Sequence, residues 1–128
     1  MISEEKESLD RFGEFIVTNL RDKAIEHYDM LEKGLWKAPG LQKLQKELGK
    51  FTPQQRDVVR RCVINTVDDG IHDFLYAIQE LVDSENDIQI VVRGKNIAEI
   101  SDGLYGESYA EDGWNCKFSN YGDVPEEA

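Results

Sequence analysis

The stretch from Thr52 to Asp83, TPQQRDVVRRCVINTVDDGIHDFLYAIQELVD, constrains this chain more than any other. Thr52 stands where a helix N-cap belongs and Pro53 takes the first helical position. Gln55 completes a capping box by reaching back to the Thr52 amide. Val59, Val63, Val67, Ile71, Phe74, Ile78 and Leu81 then recur at steps of three and four. At about 100° per residue they stay on one stripe, so the spacing predicts a single long amphipathic helix. Ile64, Leu75 and Val82 widen the stripe. The far side carries Asn65, Asp68, Asp69, His72 and Tyr76, the one cluster of potentially reactive groups in the chain.

With 128 residues, 40% of them hydrophobic, the chain suits one domain spanning 1–128 and is too short for two. No apolar run approaches the roughly 20 residues of a spanning helix, so no membrane partner is expected. The opening MISEEKESLDRFGEFIVTNL is acidic and amphipathic, unlike a signal peptide, which predicts a cytoplasmic location. Cys62 and Cys116 belong to no CxxC pair and fall on predicted apolar faces, as free and inert thiols. The charge is unevenly divided. Residues 1–61 hold 12 Lys+Arg and 11 Asp+Glu, a net of +1, whereas residues 62–128 hold 3 and 15, a net of −12, so the acidity behind the total of −11 belongs to the second half. Such a surface repels phosphate backbones, which argues against nucleic acid, and it speeds encounter with basic partners.

Before the long helix, residues 4–33 predict a first helical stretch with Leu9, Phe12, Ile16, Leu20, His27 and Leu31 on one side. Gly34 is its stop, Gly13 weakens it locally, and His27 reads as a core histidine holding one hydrogen bond. A loop closed by Pro39-Gly40 leads to a short helix marked by Leu41, Leu44 and Leu48. Lys33, Lys37, Lys43, Lys46 and Lys50 make this region basic. After Asp83 the period changes to two. Ile88, Ile90 and Val92 alternate, as do Ala98 and Ile100 beyond Gly94-Lys95-Asn96. A three-residue loop there predicts Ile90 opposite Ile100 and Val92 opposite Ala98. Glu107 to Tyr109 fits a short strand, and Trp114, Cys116 and Phe118 alternate as a last one, with Trp114 facing the core. The fold class expected is α+β: helical over 1–83, an antiparallel β-meander over 87–121, and a loose acidic tail at 122–128.

Two constellations carry chemistry. On the long helix, Asp68 and Asp69 stand four and three residues before His72, and Asp69 and Asp73 are also i,i+4. Asp68, Asp69, His72 and Asp73 are therefore the candidate metal ligands, although a helical-bundle site needs a second such motif that this chain lacks. The structural alternative has Asp68 or Asp69 holding His72 while its ring packs on Tyr76. The second constellation is the run ISDGLYGESYAEDGWNCKFSNYG, which sets tyrosines among carboxylates. Asp102, Tyr105, Glu107, Tyr109, Glu111 and Asp112 are the candidate partner-binding residues, because tyrosine supplies contact area at low entropic cost and acids select a basic partner. No G-x-S-x-G or phosphate-binding glycine loop occurs, and no catalytic residue or cofactor is assigned.

HDFL at 72–75, SDGLYGE at 101–107, EDGW at 111–114 and KFS at 117–119 resemble small acidic bacterial proteins of largely unassigned function, some of the toxin-immunity type. The resemblance covers roughly the second half and implies a bacterial cytoplasmic binding protein, with no catalytic residues to carry over. The expected function is a non-enzymatic binding protein whose acidic second half masks a basic protein. Competing readings are a metal-binding protein or hydrolase centred on the Asp/His cluster, and a homodimer joining the basic 33–50 region to the acidic half.

Overall fold

Residues 3–109 and 111–122 are described by the computed structural model, and their fold is built on the helix that Thr52 starts. The capping box is complete: the Thr52 hydroxyl accepts from the Gln55 amide at 3.1 Å, and the Gln55 side chain accepts from the Thr52 amide at 2.8 Å. In chain order the helices are α1 (Glu4–Ile16), α2 (Asp22–Glu32), α3 (Pro39–Leu48) and α4 (Pro53–Leu81). Strands β1 (Val91–Val92) and β2 (Lys95–Asn96) follow, then α5 (Ile97–Ile100) and α6 (Trp114–Phe118). The 29 residues of α4 reach about 43 Å at about 1.5 Å each, so different partners pack on its two halves. Ile64, Ile71, Leu75 and Ile78 form its buried edge, while Phe74, placed by its spacing on the apolar stripe, is exposed.

Residues 4–32 are continuous helix, with one feature the spacing did not predict. Val17–Arg21 form a π-turn in which the Asp22 amide donates to the Val17 carbonyl. The extra residue turns every later side chain by about 100° relative to the expected stripe. Leu20 and His27, predicted inside, are consequently exposed, and Arg21 and Tyr28 take the buried positions one residue further on. His27 is thus no core histidine. Its ring lies 4.9 Å from that of Trp36, whose Nε1 donates to the His27 carbonyl at 3.3 Å. Gly34 ends α2 as expected: its φ is +71°, its amide donates to Leu31, and the Leu35 amide reaches back to Met30.

The β-meander is reduced to two strands of two residues, paired antiparallel with Val91 opposite Asn96 and Val92 opposite Lys95. The connecting turn is Arg93-Gly94, both at positive φ, and not the predicted three-residue loop Gly94-Lys95-Asn96. Ala98 and Ile100 pair with no strand, because Asn96 caps α5 by accepting from the Ala98 amide at 3.1 Å. Glu107 to Tyr109 is a turn, and Trp114–Phe118 is a helix, not a strand. Two residues on in a helix is about 200°, so Cys116 is exposed while Trp114 and Asn115 are buried. Cys62 is exposed as well, which corrects the apolar placement of both thiols.

Trp114, 1% exposed, is where the C-terminal segment meets α1. Its ring lies over Gly13, where a Cβ would overlap the indole, and contacts Phe12 edge-on at 5.8 Å. Gly13, a weak helix former, is therefore what lets α1 take a tryptophan against its backbone. Gly113 allows a second close approach, because a Cβ there would strike the Tyr109 and Ser108 carbonyls. Asp123 to Ala128, most of the tail read as loose, lie outside the described residues.

Candidate functional site

Arg21 is fully buried beneath α4, a consequence of the π-turn. Its Nε and Nη2 form a bidentate pair with Asp68 at 2.6 and 3.2 Å. Its Nη1 donates to the Ser119 hydroxyl at 3.1 Å and to the Gly122 carbonyl at 2.6 Å. Neighbouring Asp22 accepts from the Ser119 hydroxyl at 2.5 Å and the Asn120 amide at 2.8 Å. A buried guanidinium needs a carboxylate and further acceptors, and the α1–α2 junction, α4 and the chain end supply them together. Asp68 is thereby a structural counter-ion.

The withdrawal of Asp68 divides the predicted metal set. Asp69, His72 and Asp73 remain on the outer stripe of α4 with Tyr76, and the His72 Nδ1 faces Asp73 at 3.2 Å, neither Asp68 nor Asp69. Among the described residues, no group of three or more His, Cys, Asp and Glu side chains is placed to hold a metal ion. Nor does His72 lean on Tyr76. Its ring meets Tyr105 at 5.7 Å and Tyr109 at 6.3 Å, and Tyr105 in turn meets Tyr76 at 5.2 Å.

Two stretches separated by about thirty residues thus form one surface. Gln79 fixes their relation: its amide donates to the Ala98 carbonyl at 2.8 Å, and its side-chain oxygen accepts from the Leu104 amide at 2.8 Å. The 3-10 turn Leu104–Gly106 is then pressed onto α4, with Leu104 fully buried. Of the predicted partner-binding residues, Tyr105 and Tyr109 are half-buried in the aromatic cluster, while Asp102, Glu111 and Asp112 are exposed. Glu107 is turned inward. Its carboxylate accepts from the Ser101 hydroxyl at 2.7 Å and its carbonyl from the Trp114 amide at 2.9 Å, so it shapes the loop. The sequence puts Asp69 and Asp73 in the metal set and Tyr76 only beneath the His72 ring, not beside Tyr105 and Tyr109. Their i,i+3 and i,i+4 spacing on the outer face of α4 was the available signal.

The ion pairs decide the electrostatics of this surface. All three Lys/Arg of residues 62–128 bond acids of α1: Arg93 with Glu7 at 3.8 Å, Lys95 with Glu4 at 4.0 Å, and Lys117 with Asp10 at 3.0 Å. Asp10 also accepts from Lys6 at 3.1 Å. Burial raises the Asp10 pKa, but the hydrogen bonds from Lys117 and Lys6 outweigh it and hold the carboxyl below its ordinary value. Asp69, Asp102, Glu111 and Asp112 form no ion pair with any described residue. At the other end, Lys33, Lys37, Lys43, Lys46 and Lys50 are exposed and likewise unpaired among the described residues.

Comparison with known proteins brings no match: no family model fits the chain, and no curated protein or solved structure is significantly similar. No helix among the described residues is long and apolar enough to cross a membrane.

Proposed function

We propose that this is a small non-enzymatic binding protein of the immunity type, which masks a basic protein partner. The surface that does so joins Asp69, His72, Asp73 and Tyr76 of α4 to Asp102, Tyr105, Tyr109, Glu111 and Asp112. The observation that carries the reading is the placement of the cations: the three in the acidic half all lie against α1, leaving the tyrosine-bearing face to its carboxylates. Exposed acids steer a basic partner at long range, and tyrosine rings supply contact area once it arrives. Tyr105 and Tyr109 are already pinned by His72 and Tyr76, so little entropy is lost on binding.

Capture from the native host at low salt, followed by titration of the recovered protein, tests the reading. A basic protein should be recovered, with affinity falling as salt rises. Tight binding that ignores ionic strength removes the electrostatic part. Metal analysis of untagged protein separates the competing reading: stoichiometric metal, lost on His72→Ala without unfolding, would replace the binding role.

A further inference from the structure

The five lysines between α2 and α4 form a second surface, which the proposed function leaves unused. Lys43 and Lys46 lie on the outer side of α3, opposite Leu41, Gln45 and Leu48, which are turned inward. Lys33 and Lys37 precede that helix and Lys50 follows it. Side-chain amides fasten the preceding loop to α3. Gln45 bonds both backbone groups of Trp36, and Gln42 donates to the Lys37 carbonyl at 2.9 Å, so the lysines are held as one surface. Nearby acids are taken by arginines of α4: Glu32 by Arg56 at 3.6 Å, Asp29 by Arg60 at 2.8 Å and Asp57 by Arg61 at 3.1 Å. The surface is left with five exposed lysines against Glu47, the one acid within 33–50.

The far half of α4 shows the opposite arrangement. Asp69, Asp102, Glu111 and Asp112 are exposed without an ion pair among the described residues, while the cations of that half lie against α1. Pro53 to Asp69 covers about 24 Å of α4, so the two faces cannot neutralise each other within one molecule. Two molecules can. A phosphate-bearing partner fits the lysine end less well, because the arginines, whose forks match phosphate best, are already engaged by carboxylates. A lipid surface needs an apolar side to insert, and Leu41 and Leu48 of α3 pack into the core. The acidic face supplies carboxylates set among rings, and exposed Leu35 and Leu44 at the lysine end offer apolar contact to exposed Tyr76. We propose that the lysine-rich end of one copy docks on the acidic, tyrosine-bearing face of the next, head to tail. The chain thereby occludes its own partner-binding surface, an inference that rests on the binding role proposed above.

Two chains of charge −11 repel as wholes, but distance decides which term wins. At about 0.1 M salt the Debye length is about 10 Å, so charges remote from the contact are screened while touching pairs are not. Near 1 M it falls to about 3 Å and the contact pairs are screened as well. A head-to-tail contact also leaves one lysine end and one acidic face open, so it grows into a series and does not close as a dimer. Sedimentation equilibrium of the full chain at these two salt concentrations, beside thermal melts, reads both properties. Wild type should rise above monomer mass with concentration at the lower salt and return to monomer at the higher. Lys43→Glu/Lys46→Glu/Lys50→Glu and Asp102→Lys/Glu111→Lys/Asp112→Lys should each be monomeric and melt close to wild type, since every side chain changed is exposed. Mixed, the two variants should recover each other as a one-to-one pair that stops there. If either fails to fold, Lys46→Glu mixed with Asp102→Lys repeats the test with single changes. An association that survives the lysine reversal overturns the proposal, as does a mixture that stays monomeric. A wild type that is monomeric at every concentration also overturns it, including one that floats with anionic phospholipid vesicles instead. Such a monomer leaves the basic-partner reading standing on its own capture experiment.

Discussion

Around the first turns of α4, Tyr28, Leu31 and Leu48 are the buried members of one hydrophobic cluster, with Trp36, Leu41, Val59 and Val63 against them. Around its last turns the cluster has ten buried members, drawn from α1, the π-turn, α4, α5, the 3-10 turn and α6. The ion pairs differ in the same way. Arg60 meets Asp29 at 2.8 Å in a half-exposed pair, whereas Arg21 meets Asp68 with no exposure of the arginine. Near α3 the chain is held by local devices: Gln45, for instance, accepts from the Trp36 amide and donates to its carbonyl. At the far end the partners are about a hundred residues apart, as Arg21 with Ser119 and Lys117 with Asp10. The proposed binding face rests on the better-buttressed end, where a surface built of short turns has most need of support.

Substitutions along this contrast should separate the two ends. Trp114→Ala removes the largest fully buried side chain and empties the space over Gly13. We expect a loss of about 3–5 kcal/mol in denaturant melts, a large share of a typical total of about 5–15 kcal/mol. Arg21→Met leaves Asp68 facing the buried site without its partner, and releases Ser119 and Gly122 as well. Its expected cost is about 3 kcal/mol, at the lower end for a broken buried pair because Asp68 is partly exposed. Limited proteolysis should then cut first near Ser119. Leu48→Ala, in the thinner cluster, should cost about 2 kcal/mol, near the bottom of the range for buried leucine, because exposed surroundings can collapse into the gap. A cost equal to that of Trp114→Ala would erase the distinction between the ends.

The smallest expected effect is a pH dependence. Asp10 has a lowered carboxyl pKa in the folded chain, so its contribution is present above the ordinary value of 3.8 and disappears as pH falls through the lowered one. Asp10→Asn should therefore cost less than about 1 kcal/mol at neutral pH, the scale of an exposed pair. The gap to wild type should close in strong acid. Melts of both proteins across that range check the sign, and a gap that widens with acidification would refute the pairing with Lys117 and Lys6.

How much of this was legible in the sequence follows from how local each determinant is. The capping box at Thr52 and Gln55, the length of α4 and the stop at Gly34 depend on residues within one turn, and all appear where the spacing puts them. The π-turn at Val17–Arg21 has no local mark. It pays off only through Asp68, Ser119 and Gly122, far along the chain, so Leu20 and His27 were misplaced. Trp114, Cys116 and Phe118 alternate like a strand, but short apolar runs do not distinguish period two from a single helical turn. What decides is tertiary: the Glu107 and Ser108 carbonyls accept from the Trp114 and Asn115 amides, and Gly113 permits the approach. Of the candidate site, the residue types were legible, while the convergence of Asp69, Asp73 and Tyr76 with Tyr105 and Tyr109 was not. It depends on Gln79 clamping a loop from Ala98 to Leu104.

The central claim is that the carboxylates of this face, supported by the larger cluster, capture a basic protein. The most direct test is a titration of the captured partner against wild type and against Asp69→Asn/Asp73→Asn/Asp102→Asn/Glu111→Gln/Asp112→Asn. All five side chains are exposed, so the variant should melt as wild type does. Its affinity should fall by at least about tenfold, a loss of about 1.4 kcal/mol, and the salt dependence should flatten. Undiminished affinity in a folded variant, with the salt dependence of wild type, would place the binding surface elsewhere and contradict the account.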